Sequence, residues 1–196
     1  SDKDIEGEYS VKQVAKAVLP SVVSITSTAI VESNYNPFFG GGRYQMTGAG
    51  SGIIVGKSDT ELLIVTNNHV VEDTTSLTVE FVDGSVIDSA YVKGTNSSKD
   101  VAIVAIKLDD LDDGTIDAIK LAVMGDSDNL QVGDGVVAIG NALGEGMSAT
   151  DGMISAINKE VTVQGSTLKN VLQTNAAINQ GNSGGALVNV NGEVIG

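Results

Sequence analysis

Short apolar runs rich in Val, Ile and Thr recur along nearly the whole chain, and Gly, Asn or Asp closes each of them within a few residues. β-Branched side chains suit a pleated, half-buried surface, and turn residues at this frequency reverse the chain too often for long helices. The pattern restricts the fold to short antiparallel strands. A first set of runs falls at residues 21–31, 53–55, 62–66, 77–81, 85–92 and 101–108. A second set falls at 132–139, 147–160, 171–174, 185–190 and from 194 onward. Asp83-Gly84 and Asn191-Gly192 are the two-residue signals of tight hairpins.

Between the sets lies the acidic, turn-rich stretch 109–114, which reads as a solvated linker. The chain therefore divides into an N-terminal segment (1–20), a first unit (21–108), a linker (109–122) and a second unit (123–196). The expected fold class is all-β, with two small six-stranded antiparallel barrels packed side by side; one large sandwich is the competing architecture. One short helix precedes them at residues 10–19. There Val11, Val14, Ala15, Val18 and Leu19 follow the helical period, Ser10 and Gln13 make a capping box, and Pro20 ends the run. Residues 33–50, rich in glycine and carrying Phe38, Phe39 and Tyr44, read as a long loop.

Composition narrows the function. With no cysteine, thiolate catalysis, disulfide staples and cysteine-bound metals are excluded. A single histidine and no calcium-loop spacing leave no metal site to expect, and no cofactor is implied. The formal charge of −14 repels nucleic acid and anionic lipid alike. No run of the sequence approaches the roughly 18 apolar residues that a membrane-spanning helix needs.

Three features carry chemistry. Gly181-Asn182-Ser183-Gly184-Gly185 places a hydroxyl on a glycine-flanked turn, where backbone N–H groups can converge beside a nucleophile. The same residues match the nucleophile elbow of α/β-hydrolases, but that fold needs its acid and its histidine after the serine. Only thirteen residues follow Ser183 in the 196-residue chain, and the one histidine, His69, lies far before it. His69 ends an apolar run through Leu62-Leu63-Ile64-Val65-Thr66-Asn67-Asn68, and Asp100 opens the apolar run Val101-Ala102-Ile103-Val104-Ala105-Ile106. Taken singly, each has a plain structural explanation: a packed histidine, a strand-initiating aspartate, a serine in a turn. Together they run His69, Asp100, Ser183, the order of the chymotrypsin-type serine proteases, where a histidine base, an orienting carboxylate and a serine nucleophile act as one unit.

Thr66-Asn67-Asn68-His69-Val70-Val71, Asp100-Val101-Ala102-Ile103 and residues 173–187 resemble the three catalytic blocks of the HtrA family of trypsin-like serine proteases. The resemblance extends over roughly residues 10–196. It implies a serine endopeptidase of the double-barrel type, with His69, Asp100 and Ser183 as catalytic triad. It further implies an oxyanion hole at Gly181, Asn182 and Ser183, and an S1 pocket lined in part by Ala177 and Ile178. An apolar Ile178 there favours small or medium aliphatic P1 residues. The family works outside the cytoplasm on unfolded or misfolded polypeptides, commonly as trimers or larger assemblies and often with a downstream PDZ domain. A chaperone or peptide-binding module with dormant proteolysis is the alternative.

This chain departs from the family pattern at Asn175, where relatives carry Asp, and at Gln180 and Ala186, where they carry Pro. The family pattern also continues past the position of Gly196 into another strand and a helix, so an incomplete second barrel is expected. Residues 33–50 correspond to a regulatory loop of the family. Phe38 and Phe39 there either insert into a neighbouring subunit or pack on their own barrel.

Overall fold

The alternation at residues 61–66 shows how the first unit is built: Leu62, Ile64 and Thr66 point inward and are buried, while Glu61, Leu63 and Val65 are only partly covered. A computed structural model describes residues 10–32, 43–141, 146–163, 166–179 and 181–196 of the chain. Six strands form a closed barrel in the order β1-β2-β3-β6-β5-β4: β1 (Val22–Glu32), β2 (Arg43–Lys57), β3 (Glu61–Thr66), β4 (Ser76–Glu80), β5 (Val86–Asn96) and β6 (Val101–Lys107). Closure comes from β4 pairing back onto β1 through Ser24–Thr28, so both faces of an open sandwich are replaced by an inside and an outside. The interior holds Ile25, Ile54, Leu62, Ile64, Val79, Val104 and Ile106, all at most 0% exposed.

The second unit is a four-stranded sheet in the order β10-β7-β8-β9, built from β7 (Gly135–Asn141), β8 (Met147–Val163), β9 (Ser166–Thr174) and β10 (Ala186–Asn189). The long β8 serves two partners in succession, β7 through Met147–Met153 and β9 from Ile154 onward. The all-β expectation of a complete first barrel beside an incomplete second one holds. The run expected from 194 onward is not a strand but an isolated bridge, in which Val194 pairs with Val188 and with Met124.

Helix α1 (Val11–Val18) carries the expected capping box, Ser10 and Gln13 exchanging bonds of 3.1 and 3.4 Å. Its buried Val14 and Val18 enter a cluster with Val22 and Ile53 of the barrel and Val137, Ile139, Ala186 and Val188 of the sheet. The helix thus seals the seam where the two units meet.

Two further segments differ from the sequence reading. Residues 43–50 belong to β2 and pair with β1, rather than to a loop. Their glycines explain the misreading. Gly48, Gly50 and Gly52 share one face of the strand, where a Cβ would lie 2.8 Å from Ser27 Oγ, 2.7 Å from Val70 and 2.6 Å from Ile64. Here glycine marks close approach, not a turn. Phe38 and Phe39 lie outside the described residues.

The acidic stretch also contains more structure than a solvated linker. A 3₁₀ turn (Leu108–Asp110) leads into α3 (Asp113–Ala118), capped by Asp112, whose Oδ1 accepts the Thr115 N–H at 2.7 Å. Thr115, 1% exposed, donates its hydroxyl toward Asp83 Oδ2 and lies 2.7 Å from Ser85 Oγ. Burial pushes the Asp83 carboxyl up, but the hydrogen bonds from Ser85 and Thr115 outweigh it and hold Asp83 below the usual carboxylate range.

Ile64, 0% exposed at the centre of the barrel, sets the first prediction. Ile64→Ala should lose about 2–5 kcal/mol in urea unfolding, through lost burial and the cavity left behind. Val86→Ala, at a position 58% exposed, should stay within about 0.5 kcal/mol.

Candidate active site

Strands β3 and β6 pair with Thr66 opposite Ala102, so the residues just after β3 and just before β6 emerge at the same end of the barrel. The chain leaving β3 makes a single helical turn, α2 (Asn68–Val71). Val70 and Val71 bury into the barrel core and hold the turn in place, leaving the His69 side chain 54% exposed. On the neighbouring strand, Asp100 closes the 3₁₀ turn Ser97–Lys99 in the left-handed region, at φ +53°. Aspartate is among the few non-glycine residues that tolerate this conformation.

The reversal at Asp100 turns its carboxylate onto the histidine. Oδ2 lies 2.8 Å from His69 Nδ1, and Oδ1 accepts the His69 backbone N–H at 3.0 Å. Asn67 completes the clamp by donating Nδ2–H to the Asp100 carbonyl at 2.8 Å. A carboxylate facing Nδ1 selects the tautomer with the proton on that nitrogen and leaves Nε2 as the acceptor. The imidazole is therefore both oriented and set up as a base.

Ser183 reaches the same place from the second unit. A cleft of about 440 Å³ is lined by Ser27, Thr47, Gly48, Ala49, His69, Val70, Gly181 and Ser183. Among the described residues, Ser183 and His69 make no hydrogen bond to each other, so the structure brings the hydroxyl and the imidazole to one cleft without joining them. Catalytic hydrogen bonds commonly tighten only when substrate binds.

The loop around Ser183 is held by backbone and by residues that the sequence reading passed over. Ser51 of β2 donates its N–H to the Ser183 carbonyl at 2.8 Å and its hydroxyl to the Gly181 carbonyl at 2.7 Å. Thr66 Oγ1 in turn donates to the Ser51 carbonyl at 2.7 Å. Ser51 stands between two glycines and Thr66 directly precedes Asn67-Asn68-His69, a hydroxyl at the end of an apolar strand; those were the available signals. Among the described residues the N–H groups of Gly181 and Ser183 donate to nothing, whereas that of Asn182 is engaged by the Asn179 carbonyl at 3.1 Å.

Ala177 and Ile178 are both exposed, Ile178 at 59%, and neither is among the described residues that line this cleft. The Ala177 carbonyl accepts from Thr150 Oγ1 at 2.8 Å, which ties this segment to β8. Asn175, where the family pattern has an acid, still acts as an acceptor: its Oδ1 takes the Met153 N–H at 2.8 Å. An amide oxygen supplies that bond without the charge.

Comparison with known proteins places this architecture. Residues 50–196 match the trypsin-like peptidase domain, and the chain belongs to that family. It is 36% identical over 201 residues to the serine protease Do-like HtrA of Bacillus subtilis (strain 168), covering 97% of this chain and 42% of that protein. It is 37% identical over 221 residues to the periplasmic serine endoprotease DegP of Escherichia coli (strain K12), covering 95% of this chain and 44% of that protein. The chain thus spans less than half the length of these curated relatives. Among solved structures, the HtrA-type protease AlgWS227A with a decapeptide superposes with a TM-score of 0.79 at 30% identity, over 94% of this chain and 56% of that one.

Gly184 tests the fastening of the loop. Its φ is +82°, and a Cβ there would sit 2.2 Å from Thr66 Oγ1 and 2.3 Å from the Ser51 carbonyl. Gly184→Ala should therefore combine backbone strain of about 1–3 kcal/mol with displacement of the Ser51 and Thr66 contacts. A lowered melting temperature, together with loss of reactivity at Ser183 toward a fluorophosphonate, is the expected outcome.

Proposed function

We propose that this chain is the peptidase unit of a serine endopeptidase, with Ser183 as nucleophile, His69 as general base and acid, and Asp100 as the group that orients the imidazole. The observation that carries the reading is the 2.8 Å contact between His69 Nδ1 and Asp100 Oδ2 in the wall of a cleft that also holds Ser183. Residues 21–108 and 123–196 are read as its two units, with 109–122 between them.

The chemistry follows from these positions. Ser183 Oγ attacks the carbonyl carbon of the scissile peptide as Nε2 of His69 takes its proton. The negative charge that develops on the carbonyl oxygen is met by the uncommitted N–H groups of Gly181 and Ser183. Asp100 faces the imidazolium that forms and stabilises its charge. Collapse of the tetrahedral species expels the amine, which leaves with the proton from Nε2, and the acyl group stays on Ser183. Water then repeats the sequence with the acyl-enzyme, releasing the acid and restoring the hydroxyl.

Thr47, Gly48 and Ala49 of β2 line the cleft and are exposed, so an extended polypeptide segment can reach the site from this strand. Unfolded or misfolded chains are accordingly the proposed substrates, in line with the family resemblance. Ala177 and Ile178 are retained as S1 candidates that an ordered substrate would have to bring into use. The similarity to the periplasmic endoprotease DegP supports a location outside the cytoplasm. A trimeric assembly and a PDZ domain in the parent protein belong to the same proposal.

Ser183→Ala should abolish labelling by a fluorophosphonate and cleavage of casein while leaving the melting temperature in place. Asp100→Asn keeps a residue that tolerates positive φ but presents the wrong partner to Nδ1. Its kcat should fall by roughly 10⁴ with the fold intact, judged by circular dichroism. A folded, full-length parent that neither labels nor cleaves would refute the enzymatic reading.

A further inference from the structure

Ser51 is 0% exposed, and its hydroxyl has no part in the reaction just described. It is nevertheless placed at a sensitive point. The peptide unit joining Gly181 to Asn182 is held at both ends: its C=O accepts from Ser51 Oγ at 2.7 Å, and its N–H donates to the Asn179 carbonyl at 3.1 Å. The next carbonyl, that of Asn182, is taken by the Gly185 N–H at 2.8 Å. The two N–H groups left uncommitted among the described residues, those of Gly181 and Ser183, flank this pinned unit.

The pinning matters because of Gly181 itself. At φ +92° and with no Cβ, this residue offers little steric resistance to rotation of the peptide plane that follows it. A rotated plane would swing the Gly181 carbonyl toward the cleft and set a negative dipole where an oxyanion has to form. Within the loop the Asn182 N–H bond to Asn179 restrains this plane, and the closed barrel adds the restraint on the carbonyl side through Ser51. The fit around the hydroxyl is close: a Cβ on Gly140 would lie 2.9 Å from Ser51 Oγ and 2.9 Å from Asn182 Cα. Thr66 holds Ser51 in turn, three residues before His69, so one strand residue links the histidine turn to the serine loop.

We propose that Ser51 is a positioning residue whose hydroxyl holds the Gly181 carbonyl turned away from the cleft, keeping the Gly181 and Ser183 N–H groups aimed at the oxyanion. The proposal rests on the serine-endopeptidase reading, because only a reaction through an oxyanion gives those two groups a role. It makes Ser51 act through the loop, without touching substrate.

Ser51→Ala removes the hydroxyl and keeps the backbone bond to Ser183. Loss of one oxyanion donor typically costs about 10²–10³ in rate, so kcat on a peptide anilide should fall by about that much with KM within about threefold. Affinity for a peptide boronic acid should fall in step with kcat/KM, whereas binding of the uncleaved peptide in a Ser183→Ala background should be unchanged by adding Ser51→Ala. In amide NMR spectra the backbone N–H signals of positions 181 and 183 should broaden or split in Ser51→Ala and stay single in Ser183→Ala. Ser51→Cys, of similar size with a weak donor, should lie between the two and covers the case in which the alanine variant does not fold. Unchanged kcat in a folded Ser51→Ala, or parallel loss of kcat and ground-state peptide binding, would overturn the proposal. An unmutated protein that fails to cleave would instead overturn the endopeptidase reading, while single, sharp Gly181 and Ser183 signals in Ser51→Ala would count against Ser51 independently of activity.

Discussion

A few hydrogen bonds from one barrel strand to one loop of the neighbouring sheet hold the site together. The N–H of Ser51 on β2 binds the Ser183 carbonyl at 2.8 Å, and its hydroxyl binds the Gly181 carbonyl at 2.7 Å. The apolar seam under α1 also joins the two units, but it fixes the units and not the orientation of individual peptide planes. Burial of apolar area is non-directional, whereas a hydrogen bond to a buried carbonyl specifies where that carbonyl points. The seam brings the units into contact, and Ser51 decides how the loop presents itself.

The other half of the site comes from strand register. Pairing of Thr66 with Ala102 delivers the two chain ends to one rim, and the left-handed backbone of Asp100 turns the carboxylate across the gap. Asn67 and the His69 N–H then bind the Asp100 carbonyl and carboxylate from the opposite strand end. Both members of the pair come from the barrel, and the hydroxyl of Ser183 with the N–H groups of Gly181 and Ser183 comes from the second unit.

Glycine acts here by leaving space. Gly50 lets β2 pass Val70 and the Ser183 carbonyl, Gly184 lies against Thr66 and Ser51, and Gly185 approaches the Ile139 carbonyl so closely that a Cβ would sit 2.4 Å away. These contacts let the loop, the histidine turn and two strands share a volume that ordinary side chains would fill.

Much of this was legible in the residues alone. Local periodicity determined the first helix, with its Ser10 cap, and the alternating strands of the barrel, because those signals depend only on near neighbours. The order of His69, Asp100 and Ser183, each at the end of an apolar run or on a glycine-flanked turn, marked the candidates. Tertiary structure decided what depends on the residue opposite. Gly48, Gly50 and Gly52 read as a loop until the strand facing them is known, and the acidic stretch conceals a helix that Asp112 caps and Thr115 anchors to Asp83. Among the described residues Ala177 and Ile178 do not line the cleft, and Ser51, unremarkable between two glycines, reaches across to Gly181, 130 positions away. A sequence records which groups a chain owns; contacts between distant segments exist only after the barrel has closed and the seam has formed, so no local pattern carries them.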